Sequence, residues 1–213
     1  MTEIPDPRVP DLLGQAKRPV SALAGPYGHP FHPILVTVPI GAWTASLVFD
    51  IASHVATGPG FLAQGSLWLI VVGVAGALAA ACAGFLDLFG IPAGTPAFRT
   101  ALVHMTLNLV VVAGYAAGFA WRYGSYHHPG PVAAGPLALS VGCLALLGVS
   151  GFLGGKLAFR YGVRVADEAT QASGFTRPEA AGTPRPSAAD SLPGENLINV
   201  AAPRSSSWCP PER

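Results

Sequence analysis

Four apolar runs, at about 34–53, 66–88, 101–121 and 136–159, decide what this chain can become. Each supplies close to the roughly 20 helical residues that cross a hydrocarbon core. Lipid offers no partner for backbone N–H and C=O groups, so such runs must be helices. Composition agrees: 51% of the 213 residues are hydrophobic and 11% charged, well under the roughly one-quarter charged share of soluble domains. The connections are short and rich in Gly and Pro, as in Thr57-Gly58-Pro59-Gly60 and Ile91-Pro92-Ala93-Gly94-Thr95-Pro96. Short connections make sequential neighbours antiparallel, which predicts an all-α integral membrane protein built as an antiparallel four-helix transmembrane bundle.

The flanks read differently. Residues 1–27, with Arg8, Lys17, Arg18 and several prolines, are expected to form a flexible arm, and they do not resemble a secretory signal. Residues 28–165 hold the bundle. From Ala166 the sequence turns to Pro, Ser, Ala, Gly and Glu without apolar periodicity, so 166–213 are expected to be a disordered tail, with Leu197-Ile198-Asn199-Val200 as an apolar patch. Arg8, Lys17, Arg18, Arg99, Lys156, Arg160 and Arg164 fall on one side of the bundle and Arg122 on the other, which predicts an inner-membrane protein with both termini cytoplasmic. A net charge of +1 provides no electrostatic footprint for nucleic acid. Cys82 and Cys143 lie in apolar runs and Cys209 in the tail, a distribution that argues against a disulfide framework; no CxxC or haem-attachment pattern occurs. The chain end Cys-Pro-Pro-Glu-Arg is not a prenylation box.

Polar residues at membrane depth are costly, which makes each a candidate for function. One layer, on the side of the termini, holds His29 and His32 at the start of the first span, Asp87 at the end of the second, His104 and Asn108 on the third, and Lys156 on the fourth. The other layer holds Asp50, His54, Arg122, Tyr123, His127 and His128. His32 and Asp50 are 18 residues apart, as are His104 and Arg122, which is about five whole helical turns. Two facing stripes would therefore bring Asp50 to Arg122 and His32 to His104 together. Pro33 reads as the start of the first span and His32 as its cap. His29, His32 and His104 form a candidate haem or transition-metal site, with Asp87 as a further metal ligand and Asn108 beside His104; the bland alternative makes the histidines interfacial caps. Asp50 with Arg122 reads first as a structural ion pair. Asp87 is expected to meet Lys156 or Arg99, or water. Trp43, Trp68 and Trp121 read as interfacial or packing aromatics, and the small-residue series Gly76/Ala80/Gly84, Gly114/Gly118 and Gly151/Gly155 as helix contacts.

The segments Gly28-His29-Pro30-Phe31-His32-Pro33-Ile34-Leu35-Val36-Thr37-Val38-Pro39-Ile40-Gly41, Asp50, Gly84-Phe85-Leu86-Asp87, His104 to Asn108, and 151–163 resemble the four-span bacterial membrane proteins of domain-of-unknown-function family 2231. The resemblance covers about 28–165 and implies a histidine-bearing bundle similar to membrane b-type cytochromes, hence electron transfer with a membrane redox partner. Lys156 stands where an acidic residue would be expected and Tyr161 where a histidine would, which leaves His29, His32 and His104 as the ligand positions. Three readings follow. The first is electron transfer through haem b or a metal ion; the second is a structural or interaction subunit without cofactor; the third is a small transporter or proton path using Asp50, Asp87 and the histidines. None requires independent catalysis. The glycine-rich helix faces are compatible with a homodimer.

Overall fold

A computed structural model describes residues 8–127 and 130–175. The expected tail beyond Phe175, its 197–200 patch, Cys209 and His128 lie outside the described residues.

The four spans are helical, at His32–Ala52, Gly60–Phe89, Pro96–Tyr123 and Ala134–Arg160. The first consists of α2 (His32–Leu35) and α3 (Thr37–Ala52), joined with almost no break; α4 is Gly60–Phe89, α5 Pro96–Tyr123 and α6 Ala134–Gly155, the last continuing as a π-helical turn over Lys156–Arg160. Several helices run past the apolar limits seen in the sequence, and for α5 the start is set by a cap. The Thr95 hydroxyl accepts from Phe98 N and Pro96 occupies the first turn, where its missing N–H costs nothing, so α5 starts five residues before the apolar run. At the first span, His32 does not cap its own helix. Phe31 takes the cap position without a side-chain bond, and the His32 ring is spent elsewhere.

Neighbouring spans pack in sequence order, and the fourth closes on the first. The core is thin. Trp43, Ile70, Val111, Tyr115 and Cys143 form its centre, while only 17–28% of each span's most apolar stretch is buried within the protein. Val48, Phe85, Leu109 and Phe152 are among the large apolar side chains left facing outward. An apolar exterior of this extent is stable only in lipid, so the chain is a membrane protein. Trp43 belongs to the core and is 1% exposed, whereas Trp68 and Trp121 are exposed. Among the small residues, Gly73 lies under Trp43, Gly76 under Val38 and Gly114 against Cys143, but Gly151 touches nothing and Gly155 only meets Phe159 of its own chain turn. The close approaches on the fourth span are made by Gly135, against Trp121, and Gly154, against His104.

The arm is more ordered than its composition suggests. Residues Val9–Lys17 form α1 and Ala22–Ala24 a 3-10 turn, and both are tied to the chain after the fourth span. Arg164 N donates to Ala16 O, and its guanidinium donates to Ala24 O and Gly25 O. Lys17 meets Glu168 at 3.6 Å, and Tyr27 donates to Asp167, the N-cap of α7 (Glu168–Ala172). Gly25, at φ +92°, permits the turn: a Cβ there would stand 2.5 Å from His29 O.

Candidate functional site

The first and third spans are diagonal partners in the bundle, and three pairs of side chains meet along their seam. His32 faces His104 with ring centroids 6.2 Å apart. Trp43 stacks on Tyr115 at 4.2 Å. Asp50 pairs with Arg122 at 2.8 Å, through both carboxylate oxygens. The members of each pair are 72 residues apart in the chain.

The surroundings repeat as well. His32 Nδ1 is 2.8 Å from Ala80 O on the second span, and His104 Nδ1 is 2.8 Å from Ser150 O on the fourth. One turn beyond each carbonyl stands a glycine in contact with the ring: a Cβ on Gly84 would lie 2.8 Å from His32 Nδ1, and one on Gly154 3.1 Å from His104 Cε1. In the middle of the seam, Trp43 Nε1 donates to Ile70 O and Tyr115 Oη to Ser140 O. The bundle is thus two similar helix pairs, each placing one imidazole on a carbonyl and a glycine of its partner helix.

At the loop end, away from the arm, the charges are closed. Asp50 is fully buried and also accepts from the Ser66 hydroxyl, while Arg122 donates to Ser66, Ser140 and Pro136 O. This cage neutralises a carboxylate that would otherwise be expensive to bury. Ser66 and Ser140 carry no signal in the sequence that separates them from ordinary helix serines.

At the arm end the rings are less fully used. A backbone carbonyl can only accept, so each Nδ1 carries a proton, and in the neutral ring Nε2 keeps a lone pair. Asn108 Nδ2 lies 3.2 Å from His104 Nε2 and 2.9 Å from His104 O. His29 does not join this pair; it is exposed in the turn before the first span, its N–H bonded to Pro26 O. Asp87, expected as a metal ligand or as a partner of Lys156 or Arg99, is engaged by Arg164 at 2.8 Å. Lys156 lies over the Tyr161 ring at 5.5 Å. The four-ligand set His29, His32, His104 and Asp87 is therefore not assembled, and among the described residues no group of three or more His, Cys, Asp or Glu could hold a metal ion. Sequence reading counted Arg164 as one more positive charge, yet it is 5% exposed and holds a left-handed backbone at φ +60°, a strained conformation for a non-glycine residue.

Two cavities are present elsewhere. One of about 200 Å³ at the loop end is lined by Gln64, Leu67, Trp121, Arg122 and Tyr126 among others. One of about 300 Å³ lies at the arm end between Gln15, Phe89 and Phe98. Neither is lined by His32 or His104.

Fold and site define a four-span membrane bundle with a duplicated polar seam. The chain belongs to the family described as predicted membrane protein DUF2231, whose model matches residues 28–167. No curated protein and no solved structure matches it.

Proposed function

We propose that this protein holds a haem or a transition-metal ion between His32 and His104 and serves in electron transfer at the membrane. The observation that carries the reading is the matched pair of imidazoles, each with Nδ1 bound to a backbone carbonyl. Ligating histidines in metal proteins donate their other ring N–H in this way, which fixes the tautomer and aims the remaining nitrogen. A bound group would supply the electron chemistry, and the helices would supply neutral ligands and a low-dielectric surrounding that set its potential. Of the two groups, an ion suits the bundle better. Both rings lie against the backbones of the second and fourth spans, and a macrocycle is broad beside the ~8–10 Å that separates packed helix axes.

In this reading the imidazole pair sits at the cytoplasmic face of the inner membrane. Arg99, Lys156, Arg160 and the basic residues of the arm share its end of the bundle, while the other end carries Arg122. The test is an absorption spectrum of the detergent-purified protein, oxidised and dithionite-reduced, with elemental analysis. A Soret band or a stoichiometric metal, lost in His104→Ala, is the expected result; a colourless, metal-free protein from metal- and haem-supplied cells refutes it.

Asn108 favours a second reading. Its amide already fills the lone pair of His104 Nε2 at 3.2 Å, as a purely structural seam would require. A structural or interaction subunit predicts that His32→Ala and His104→Ala change stability alone.

A further inference from the structure

We infer that the group taken up by His32 and His104 is a single monovalent copper ion, bound two-coordinate between the rings. This rests on the metal reading above and names its ligand.

Ligand number comes first. Zinc is almost always four-coordinate in structural sites and keeps three protein ligands in catalytic ones, and calcium and magnesium require oxygen ligands. The arm end of the seam provides two nitrogens and no third His, Cys, Asp or Glu among the described residues. The nearest carboxylate on the second span, Asp87, is committed to Arg164, and Cys82 is exposed on the outside of the bundle. A closed-shell monovalent copper ion is satisfied by two donors in line, and imidazole is among the ligands that suit copper.

Charge selects in the same direction. Imidazole binds a metal as a neutral ligand, so whatever these rings bind brings its whole charge into the bundle. Asp87 lies within electrostatic reach of His32, but Arg164 already offsets its charge. The solvation cost of a buried ion rises with the square of its charge, so a divalent ion with two neutral ligands and no uncommitted anion is disfavoured far more than a monovalent one. Binding requires no proton release from the rings, because Nδ1–H is retained on Ala80 O and Ser150 O.

The ring separation is of the size such an ion needs. The centroids lie 6.2 Å apart with the planes at 87°, the span that an atom about 2.0 Å from one nitrogen of each ring fills once both nitrogens turn inward. Gly84 and Gly154 hold the rings at that separation from opposite sides. Asn108 gives up its contact with Nε2 and keeps the one to His104 O.

The experiment is an anaerobic competition for copper(I) between the full chain in detergent and the chelator bicinchoninate, followed by X-ray absorption of the bound metal. The parent should withhold one equivalent, with two nitrogen neighbours. His32→Ala and His104→Ala should each weaken binding by more than the roughly 100-fold that loss of an outer-shell partner costs, and His29→Ala should leave it unchanged. Copper(I) should also raise the unfolding temperature of the parent and not that of His104→Gln, a readout that separates lost binding from lost folding. Copper held equally well by a folded His104→Gln, a four-coordinate spectrum, or zinc held as tightly as copper would each overturn the inference. If copper is not withheld but iron, zinc or haem copurifies and is lost in His104→Gln, the copper assignment falls and the metal reading stands. If no metal or haem binds at all, both fall.

Discussion

The two ends of the seam are built from the same positions of the same two helices, yet they are chemically opposite. At the loop end, Asp50 and Arg122 are unlike partners. Each satisfies the other, and Ser66 and Ser140 occupy much of the remaining hydrogen-bonding capacity. At the arm end, His32 and His104 are like partners, both with Nδ1 on a carbonyl. Two acceptor nitrogens have nothing to give one another, and only the Asn108 amide stands between them and an open site. The repeated layout is thus self-satisfying where the facing side chains are opposite in charge, and not where they are alike.

The sharpest way to break that contrast is at the closed end. Asp50→Ala leaves the Arg122 guanidinium buried at 8% exposure without its counter-ion, and should cost about 3–5 kcal/mol. Unfolding in detergent measures it. The double variant Asp50→Asn/Arg122→Gln should recover much of the loss, because no charge remains to be stranded. The imidazole end should behave otherwise: His32→Ala removes a neutral ring and should cost less than Asp50→Ala. A larger loss at His32 would contradict the comparison.

A second contrast lies beside the rings, where Arg164 holds Asp87 and the arm. Arg164→Gln removes the ion pair and the charge-assisted bonds to Ala24 O and Gly25 O, each class worth about 1.5–3 kcal/mol. The effect should be local. Amide exchange should accelerate over residues 16–25 and leave the middle of the spans protected, whereas Asp50→Ala should loosen all four. Next comes Gly84→Ala, whose Cβ would lie 2.8 Å from His32 Nδ1. Overpacking of this kind costs about 1–3 kcal/mol, and here it also displaces a ring. Gly142→Ala, with nothing within 4 Å, is the control and should be neutral or mildly stabilising.

The sequence disclosed the spans because length and apolarity are one-dimensional properties. It also disclosed the diagonal pairs: an 18-residue spacing repeated on two helices keeps both members of each stripe on one face. The same spacing implies a common 72-residue offset between the facing residues, and the Trp43–Tyr115 stack at that same offset appears only in the structure. Arg164 stayed hidden for a different reason. Its partners are a carboxylate 77 positions earlier and two carbonyls of the arm, and carbonyl acceptors leave no mark in a sequence. Nor could His29 be separated from His32, since the turn that points one outward depends on Gly25 and on Arg164 holding the chain behind it. The serine cage around Asp50 was equally silent, because serine is common in helices for reasons of size.

The smallest effect belongs to the outermost contact of the arm end. The Asp167 carboxylate accepts from Thr170 N and from the Tyr27 hydroxyl, and Tyr27 in turn accepts from Asp167 N. The Thr170 amide, followed by the tyrosine, holds the Asp167 carboxyl below the usual carboxylate value of 3.8. A depressed pKa means that this tie is intact above pH 3.8 and weakens as pH falls through the lower folded value. Acidification through that lower folded value should therefore release the Tyr27–Asp167 link. Tyr27→Phe should reproduce this change at neutral pH, seen as faster exchange of the Asp167 amide with no shift in global unfolding. If Tyr27→Phe alters the His32 ring signals as well, the arm and the imidazole pair are coupled.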